Sequence, residues 1–254
     1  MTLPHDVAGD GPAVVLLHAG VCDRRMWDPQ WTALIDAGYR VLRCDFRGFG
    51  QNPVPPHLFN DAEDVLALLD LHDIRQAVLI AASFGGKVGL EIAARWPHRT
   101  AAMALLCSAV PEHNPSAELQ AFDAHEDTLL EAGDIAAAVE LNVDTWLGPN
   151  ANTETREAVR QMQRRAFELQ LAAPDAPGRI KAAFDLSAIT APVLAISGEH
   201  DLPDFRQFAA RLPDLLADAR HLELADAAHL PNLERPVETT AELIAFLRKT
   251  MPTN

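Results

Sequence analysis

The feature that most constrains the fold is an alternation of short apolar runs with helical patterns through the first hundred residues. The runs lie at residues 13–18, 39–45, 77–82 and 103–109, and their apolar residues do not alternate with polar ones. Such runs are typical of parallel strands that are buried on both faces of a sheet. Because helices separate them, we predict an α/β fold with right-handed crossovers and a mostly parallel, doubly wound sheet.

The pattern changes after the fourth run. Residues 112–178 contain helical patterns only, and strand patterns resume at residues 191–198 and 219–225. A helical block inside an α/β chain indicates a lid over one edge of the sheet. We therefore expect a core of residues 1–111 and 179–254 and an inserted helical cap of residues 112–178.

The charge of the chain bears on its partners. Its formal net charge of -15 argues against binding to nucleic acid or to an anionic membrane surface, because both would repel it. No apolar run approaches the ~18 residues of a membrane span, and no basic and apolar leader is visible at the start. The three cysteines show no metal-ligand spacing, so we expect reduced thiols, a cytoplasmic location, and neither a metal nor a cofactor.

Three side chains with complementary chemistry each follow a different predicted strand. Ser83 follows the run at 77–82, Asp201 follows the run at 191–198, and His229 follows the last strand. The carboxyl ends of parallel strands meet at one edge of the sheet, which brings such residues together. A serine hydroxyl becomes nucleophilic when an imidazole takes its proton, and a carboxylate orients the imidazole. We predict Ser83, Asp201 and His229 to be a catalytic triad.

The helix that starts after Ser83 leaves unpaired backbone N–H groups at its N-terminus. The N–H group of Phe84 is therefore predicted to stabilise the oxyanion of an acyl-transfer intermediate.

Several segments together carry a resemblance to a known family: "LLHAG" with a following tryptophan, "CDFRGFG", "SFGG", "SGEHD" and "AAHLPNLERP". Over nearly its whole length the chain resembles α/β-hydrolase fold proteins, and most of all the group of capped esterases, enol-lactonases and cofactor-free perhydrolases. The resemblance implies a metal-free serine hydrolase that acts on a small molecule.

The resemblance also assigns individual residues. It favours Asp201 as the acid over the neighbouring Glu199 and Asp204. Asp226 lies on the same loop as His229, where we expect it not to reach the correct side of the ring. By the same resemblance, the second oxyanion N–H group is that of Gly20.

One position departs from the family pattern. The turn that presents the nucleophile usually reads G-x-S-x-G, and here Ala81 replaces the first glycine. Because alanine adds only a methyl group, and Gly85 and Gly86 follow the serine, we expect the sharp turn to be retained with slight strain.

The substrate pocket is predicted to include Ala19, Cys22 and Trp146. Three arginines at a spacing of four residues in the cap, Arg156, Arg160 and Arg164, could recognise a substrate carboxylate, although a solvated helix face is the simpler interpretation.

The sequence favours a serine hydrolase of a small or medium carboxylic ester or lactone. Hydrolysis of a C–C bond and perhydrolysis use the same triad and stay open. A biosynthetic lyase or cyclase with His229 as base and a non-catalytic ligand-binding protein are further alternatives. Enzymes of this fold with an aspartate nucleophile are excluded, because Ser83 occupies that position.

Overall fold

The computed structural model describes residues 2–109, 111 and 114–253. Within these residues, strands form one sheet: β1 (His5–Ala8), β2 (Ala13–Leu17), β3 (Arg40–Cys44), β4 (Ala77–Ala82), β5 (Thr100–Leu106), β6 (Val193–Gly198) and β7 (Ala219–Leu224). Their order is β1-β3-β2-β4-β5-β6-β7, and all neighbouring pairs are parallel except β1 with β3. This arrangement confirms the predicted mostly parallel sheet and adds an antiparallel edge strand, β1.

Helices cover both faces of the sheet. They are α1 (Asp28–Asp36), α2 (Asp61–Leu71), α3 (Phe84–Arg95), α4 (Ala117–Glu131), α5 (Ile135–Trp146), α6 (Thr153–Leu171), α7 (Pro203–Leu215), α8 (Pro231–Glu234) and α9 (Pro236–Thr250). Two apolar clusters lie on opposite sides of the strands. In β4, Leu79 belongs to one cluster and Val78 and Ile80 belong to the other, which explains why this run is apolar throughout.

Strand β5 ends three residues before the end of the predicted run at 103–109. Leu106 is its last residue, because Cys107 adopts a left-handed backbone with φ 46°. That conformation is rare for a residue other than glycine and interrupts the strand pairing. The chain turns here, at the same edge of the sheet as the end of β4.

The segment between β5 and β6 is helical, as the pattern predicted, and consists mainly of α4, α5 and α6. Helix α5 packs against both α4 and α6. The first two residues of the predicted cap, Glu112 and His113, lie outside the described residues. Among the residues that the structure does describe, no helix has both the length and the apolar character that crossing a membrane requires.

Candidate active site

Ser83 occupies a sharp turn between β4 and α3. Its backbone has φ 49° and ψ -115°, a strained conformation for a side-chain-bearing residue. Two hydrogen bonds hold the turn: the Ser83 N–H donates to the Leu106 carbonyl, and the Ala109 N–H donates to the Ser83 carbonyl, both at 2.9 Å. The predicted elbow geometry is therefore present in the structure.

Two glycines after the serine make the turn possible. A Cβ atom at Gly85 would lie 2.5 Å from the Leu17 carbonyl oxygen, and one at Gly86 would lie 2.4 Å from Ser108 Oγ. Both distances are far shorter than a van der Waals contact. Helix α3 can approach β2 and the end of β5 this closely because neither residue has a side chain.

The methyl group of Ala81 is accommodated by a third glycine. Ala81 is fully buried, and a Cβ atom at Gly89 would lie 3.4 Å from the Ala81 Cβ atom. Helix α3 thus presents a residue without a side chain, Gly89, to the methyl group of Ala81.

Asp201 and His229 form a buried hydrogen-bonded pair. His229 Nδ1 lies 2.9 Å from Asp201 Oδ1 and 3.0 Å from Oδ2, and the Leu202 N–H donates to Oδ1 at 2.8 Å. Because a carboxylate only accepts, Nδ1 carries the proton and Nε2 of the neutral ring is free to act as a base. This is the orientation that proton transfer from a serine requires.

The other acids near the loop have different partners. Asp204 accepts a hydrogen bond from the Ser116 N–H at 2.9 Å, and Glu199 accepts one from the Asp226 N–H at 3.2 Å. Asp226 is exposed and its side chain lies near Asn150. Of these four acids, Asp201 is the one whose carboxylate contacts the His229 ring.

Ser83 and His229 line the same cavity of about 310 Å³, here called the serine cavity. Among the described residues, the Ser83 hydroxyl makes no hydrogen bond, so the His229 ring is not bonded to it in this structure. In enzymes without substrate the bond between nucleophile and base is often long, and it shortens when substrate binds.

The predicted oxyanion donors also face this cavity. Gly20 and Phe84 both line it, and in the part of the chain that the structure describes neither backbone N–H group donates a hydrogen bond. A Cβ atom at Gly20 would lie 3.5 Å from Phe84 Cβ, so the two residues are neighbours. Two unpaired N–H groups beside a serine hydroxyl can receive a developing negative charge.

The prediction that Ala19 and Cys22 line the pocket requires a correction. Both are fully buried in the apolar core, and the residues between them, Gly20 and Val21, line the cavity instead. Burial also raises the pKa of the Cys22 thiol well above its ordinary value, which disfavours a nucleophilic thiolate.

His18 holds the loop after β2. Its Nδ1 lies 2.8 Å from the Ala19 carbonyl oxygen, and its Nε2 accepts the Phe46 N–H at 3.0 Å. Burial lowers the pKa of His18, which agrees with this neutral tautomer. Both ring nitrogens are thus engaged by the backbone, and the side chain has a structural role.

Aromatic rings enclose His229. The ring centroids of Trp146 and Phe205 lie 4.5 and 4.3 Å from that of the imidazole, and Phe122 packs on Trp146 at 4.9 Å. Trp146 was predicted for the pocket and does line it, whereas Phe122 and Phe205 were not predicted. These rings shield the Asp201–His229 pair from water.

The cavity is also lined by a half-buried acid, Glu126, that the sequence did not indicate. Glu126 of α4 accepts a hydrogen bond from Asn142 Nδ2, and Asn142 Oδ1 accepts the Trp146 Nε1–H at 3.0 Å. Burial raises the pKa of Glu126, and the nearby Asp123 raises it further. This chain of hydrogen bonds fixes the ring that packs on His229.

Glu234 fixes the loop that carries His229. Its Oε1 accepts the N–H groups of Ala228 and Leu230 at 3.1 and 3.2 Å, and its Oε2 accepts that of Gly148 at 2.8 Å. The sequence did not indicate this role for Glu234. The structure shows that it joins the His229 loop to the end of α5.

One group of side chains has the composition of a metal site. The ligand atoms of Cys107, Asp201 and His229 are buried and lie within 4.8 Å of one another. Burial and then the Asp201 charge raise the pKa of the Cys107 thiol, which opposes the thiolate that a metal needs. Asp201 and His229 are already hydrogen-bonded to each other, and these hydrogen bonds explain why the two side chains lie close together.

The three arginines of the predicted cap lie on the surface, and two of them form ion pairs there. Arg156 contacts Asp144 at 3.0 Å, Arg160 contacts Glu140 at 2.6 Å, and Arg164 is exposed. None of the three lines the serine cavity as the structure describes it, which favours the interpretation as a solvated helix face. The arginine that does line it is Arg179, which follows the cap helices.

The sequence of the chain is similar to those of known proteins. A family model described as the alpha/beta hydrolase family matches residues 14–243. The chain is 32% identical to "Putative carbamate hydrolase RutD" of Variovorax paradoxus, over 98% of this chain and 97% of that protein. It is 30% identical to a non-heme chloroperoxidase of Streptomyces lividans, over 94% of this chain and 92% of the other.

The fold of the chain is also similar to that of a solved structure. The enol-lactonase from Burkholderia xenovorans is 28% identical, with a TM-score of 0.77 and 96% of each chain covered.

Proposed function

This chain belongs to the alpha/beta hydrolase family, and we propose that it is a serine hydrolase that cleaves a small or medium carboxylic ester or lactone through an acyl-enzyme on Ser83. The observation that carries the proposal is the shared cavity. There a strained serine, an imidazole oriented by a buried carboxylate, and two unpaired N–H groups face the same space.

In the first half of the reaction, Ser83 Oγ attacks the carbonyl carbon while His229 Nε2 takes the hydroxyl proton. Asp201 stabilises the imidazolium through Nδ1. The N–H groups of Gly20 and Phe84 hold the oxyanion of the tetrahedral intermediate. When the intermediate collapses, the C–O bond to the alcohol breaks, and the imidazolium gives its proton to the departing oxygen.

In the second half, a water molecule loses a proton to His229 and attacks the acyl carbon. The acid leaves, and Ser83 recovers its proton. In a lactone, the released alcohol remains part of the acyl group, so a single hydroxy acid is formed.

The size of the cavity and the relatives support the substrate class. About 310 Å³ lies at the lower end of the range for ligand pockets, which suits a small acyl group. The relatives named above include a carbamate hydrolase and an enol-lactonase, whose names both describe acyl cleavage. We propose that the segment 112–178, which contains α4, α5 and α6, acts as the cap, since Phe122 and Trp146 from this segment line the serine cavity.

Perhydrolysis is a second candidate, favoured by the similarity to a protein named as a non-heme chloroperoxidase. Hydrogen peroxide would replace water in attacking the acyl-enzyme and would release a peracid. With 4-nitrophenyl acetate and hydrogen peroxide, the ratio of peracetic to acetic acid distinguishes the two reactions.

The experiment that tests the proposal combines a burst assay with labelling. Wild-type protein mixed with 4-nitrophenyl acetate is expected to give a burst of nitrophenol and an acetyl adduct by intact mass spectrometry. A fluorophosphonate probe is expected to label it at one site. Ser83→Ala should lose all three signals while keeping its far-UV circular dichroism spectrum.

Ser197 supplies a matched control. Its Oγ lies 2.8 Å from His221 Nε2, so it also pairs with an imidazole, but it is fully buried in β6. We expect Ser197→Ala to keep the adduct and the label. Labelling that persists in Ser83→Ala, or wild-type protein that neither the ester nor the probe modifies, would refute the mechanism.

A further inference from the structure

Two of the three lysines in the chain line one cavity. The lysines are Lys87, Lys181 and Lys249, and the first two border a space of about 610 Å³, here called the lysine cavity. It lies beside the serine cavity, with which it shares Phe84 and Arg179 as lining residues. Because the chain has only three lysines, the presence of two of them in one cavity suggests a role for their charge there.

The acids of the lysine cavity already have partners. Asp61 pairs with Arg179 at 2.9 Å, and Glu91 pairs with Arg95 at 2.6 Å. Asp185 accepts a backbone N–H group at the start of the short helix that follows it. Asp61 and Glu91 are therefore balanced by arginines, whereas Asp185 is exposed and has no cationic partner among the described residues, so one carboxylate faces the two lysines.

Lys87 and Lys181 form no ion pair with any carboxylate in the described part of the chain. Lys87 is half-buried on the first turn of α3, and Lys181 is exposed at the rim. Many arginines of the protein, in contrast, form ion pairs. Two unpaired ammonium groups facing one cavity are suited to an anion.

The wall shared by the two cavities lies next to the proposed nucleophile. The Arg179 guanidinium is 5.1 Å from the Phe84 ring centroid and 5.5 Å from that of Phe49. Phe84 directly follows Ser83, and its N–H group is the proposed oxyanion donor. An acyl chain attached to Ser83 that passes this wall would enter the lysine cavity.

We propose that the lysine cavity binds a carboxylate at the far end of the substrate's acyl chain, which makes the enzyme selective for esters and lactones with an anionic tail. This inference rests on the proposed hydrolase function. Lys87 and Lys181 act as specificity-determining residues, and Arg179 borders the path between the two cavities. The carboxylate gains two cationic partners without displacing an existing ion pair.

The test compares two esters of equal chain length, 4-nitrophenyl octanoate and mono-4-nitrophenyl suberate. The measured quantity is the ratio of kcat/KM for the anionic ester to that for the neutral one. This ratio cancels any effect that a substitution has on both reactions. We expect it to fall about 3- to 10-fold in Lys87→Gln and in Lys181→Gln, as for partly exposed charge pairs, and further in the double variant.

Lys249→Gln is the control, because it removes the same charge from the exposed C-terminal end of α9. Its ratio should equal that of the wild type. If the double variant keeps the wild-type ratio while both esters are cleaved, the anion subsite is wrong and the hydrolase function stands.

If the wild type cleaves neither ester, the acetate burst and the probe label decide the hydrolase function, and a binding measurement decides the subsite. Calorimetry with suberate should then show weaker binding to the double variant than to wild type or to Lys249→Gln. Equal binding, or none, would overturn the subsite.

Discussion

Glu234 gives a direct test of how the His229 loop is held. Its carboxylate accepts three backbone N–H groups, those of Gly148, Ala228 and Leu230, and the last two residues flank His229. Glu234→Gln keeps one acceptor oxygen but places an NH₂ group opposite at least one N–H donor. A buried donor without a partner costs about 1–3 kcal/mol, and Glu234→Ala, which frees all three, should cost about 3 kcal/mol or more.

Calorimetric unfolding at pH 7 measures the effect. One kcal/mol corresponds to ~2–4 °C in Tm for a protein of this size, so a cost of about 1–3 kcal/mol should lower the Tm of the Gln variant by about 2–12 °C. We also expect kcat for 4-nitrophenyl acetate to fall about tenfold, because the imidazole is no longer held in place. The control is Glu238→Gln, an exposed residue whose ion pair is with Arg235 at 2.8 Å. If the two variants lose equal Tm and equal activity, Glu234 has no special role.

Three further substitutions test other parts of the structure. Gly86→Ala should destabilise the fold by about 1–3 kcal/mol, seen as a lower urea midpoint, because the new Cβ atom would meet Ser108; an unchanged midpoint would contradict the close approach. Ala81→Gly should keep activity and lose about 0.5–1 kcal/mol, since the turn tolerates either residue and glycine loses more backbone entropy on folding. Asp61 tests the pH dependence: burial raises its pKa from 3.8 to about 6, so its contribution to stability is complete below about pH 4 and is lost as the pH rises through 6. Relative to Asp61→Asn, the wild type should therefore lose about 3 kcal/mol of unfolding free energy between pH 4 and pH 7, and equal pH profiles would contradict this.

The sequence predicted the strands that are buried at every position. Strand β4 is apolar at every position because helices cover both of its faces, and this pattern can be read without tertiary information. Strand β1 escaped notice because it has only four half-buried residues at the sheet edge. Helix α7 was not predicted, and Pro213 near its end interrupts the helical pattern.

The sequence could predict that the serine, the acid and the histidine lie at one edge of the sheet, because a parallel sheet brings the carboxyl ends of its strands together. The aromatic enclosure could not, because Phe205 of α7 contacts His229 while Phe122 of α4 contacts Trp146, and these helices are far apart in sequence. The positions of these rings depend on how α4, α5 and α7 pack, and no local pattern encodes that. The error at Cys22 has the same origin, since adjacent residues of one loop face the cavity and the core in turn.

The net charge of the protein governs its interaction with large charged partners, whereas the charges inside a cavity govern the binding of a small ligand. A formal charge of -15 acts over the whole surface and opposes a polyanion, which must approach many carboxylates at once. A single carboxylate in the lysine cavity interacts mainly with groups within the screening length of about 8 Å at physiological ionic strength. There, the two unpaired lysines outnumber Asp185, the one lining acid without an arginine partner among the described residues, so an acidic protein can still select an anionic substrate. It follows that salt should weaken the preference for the anionic ester in the wild type, and should do so less in the protein without both lysines.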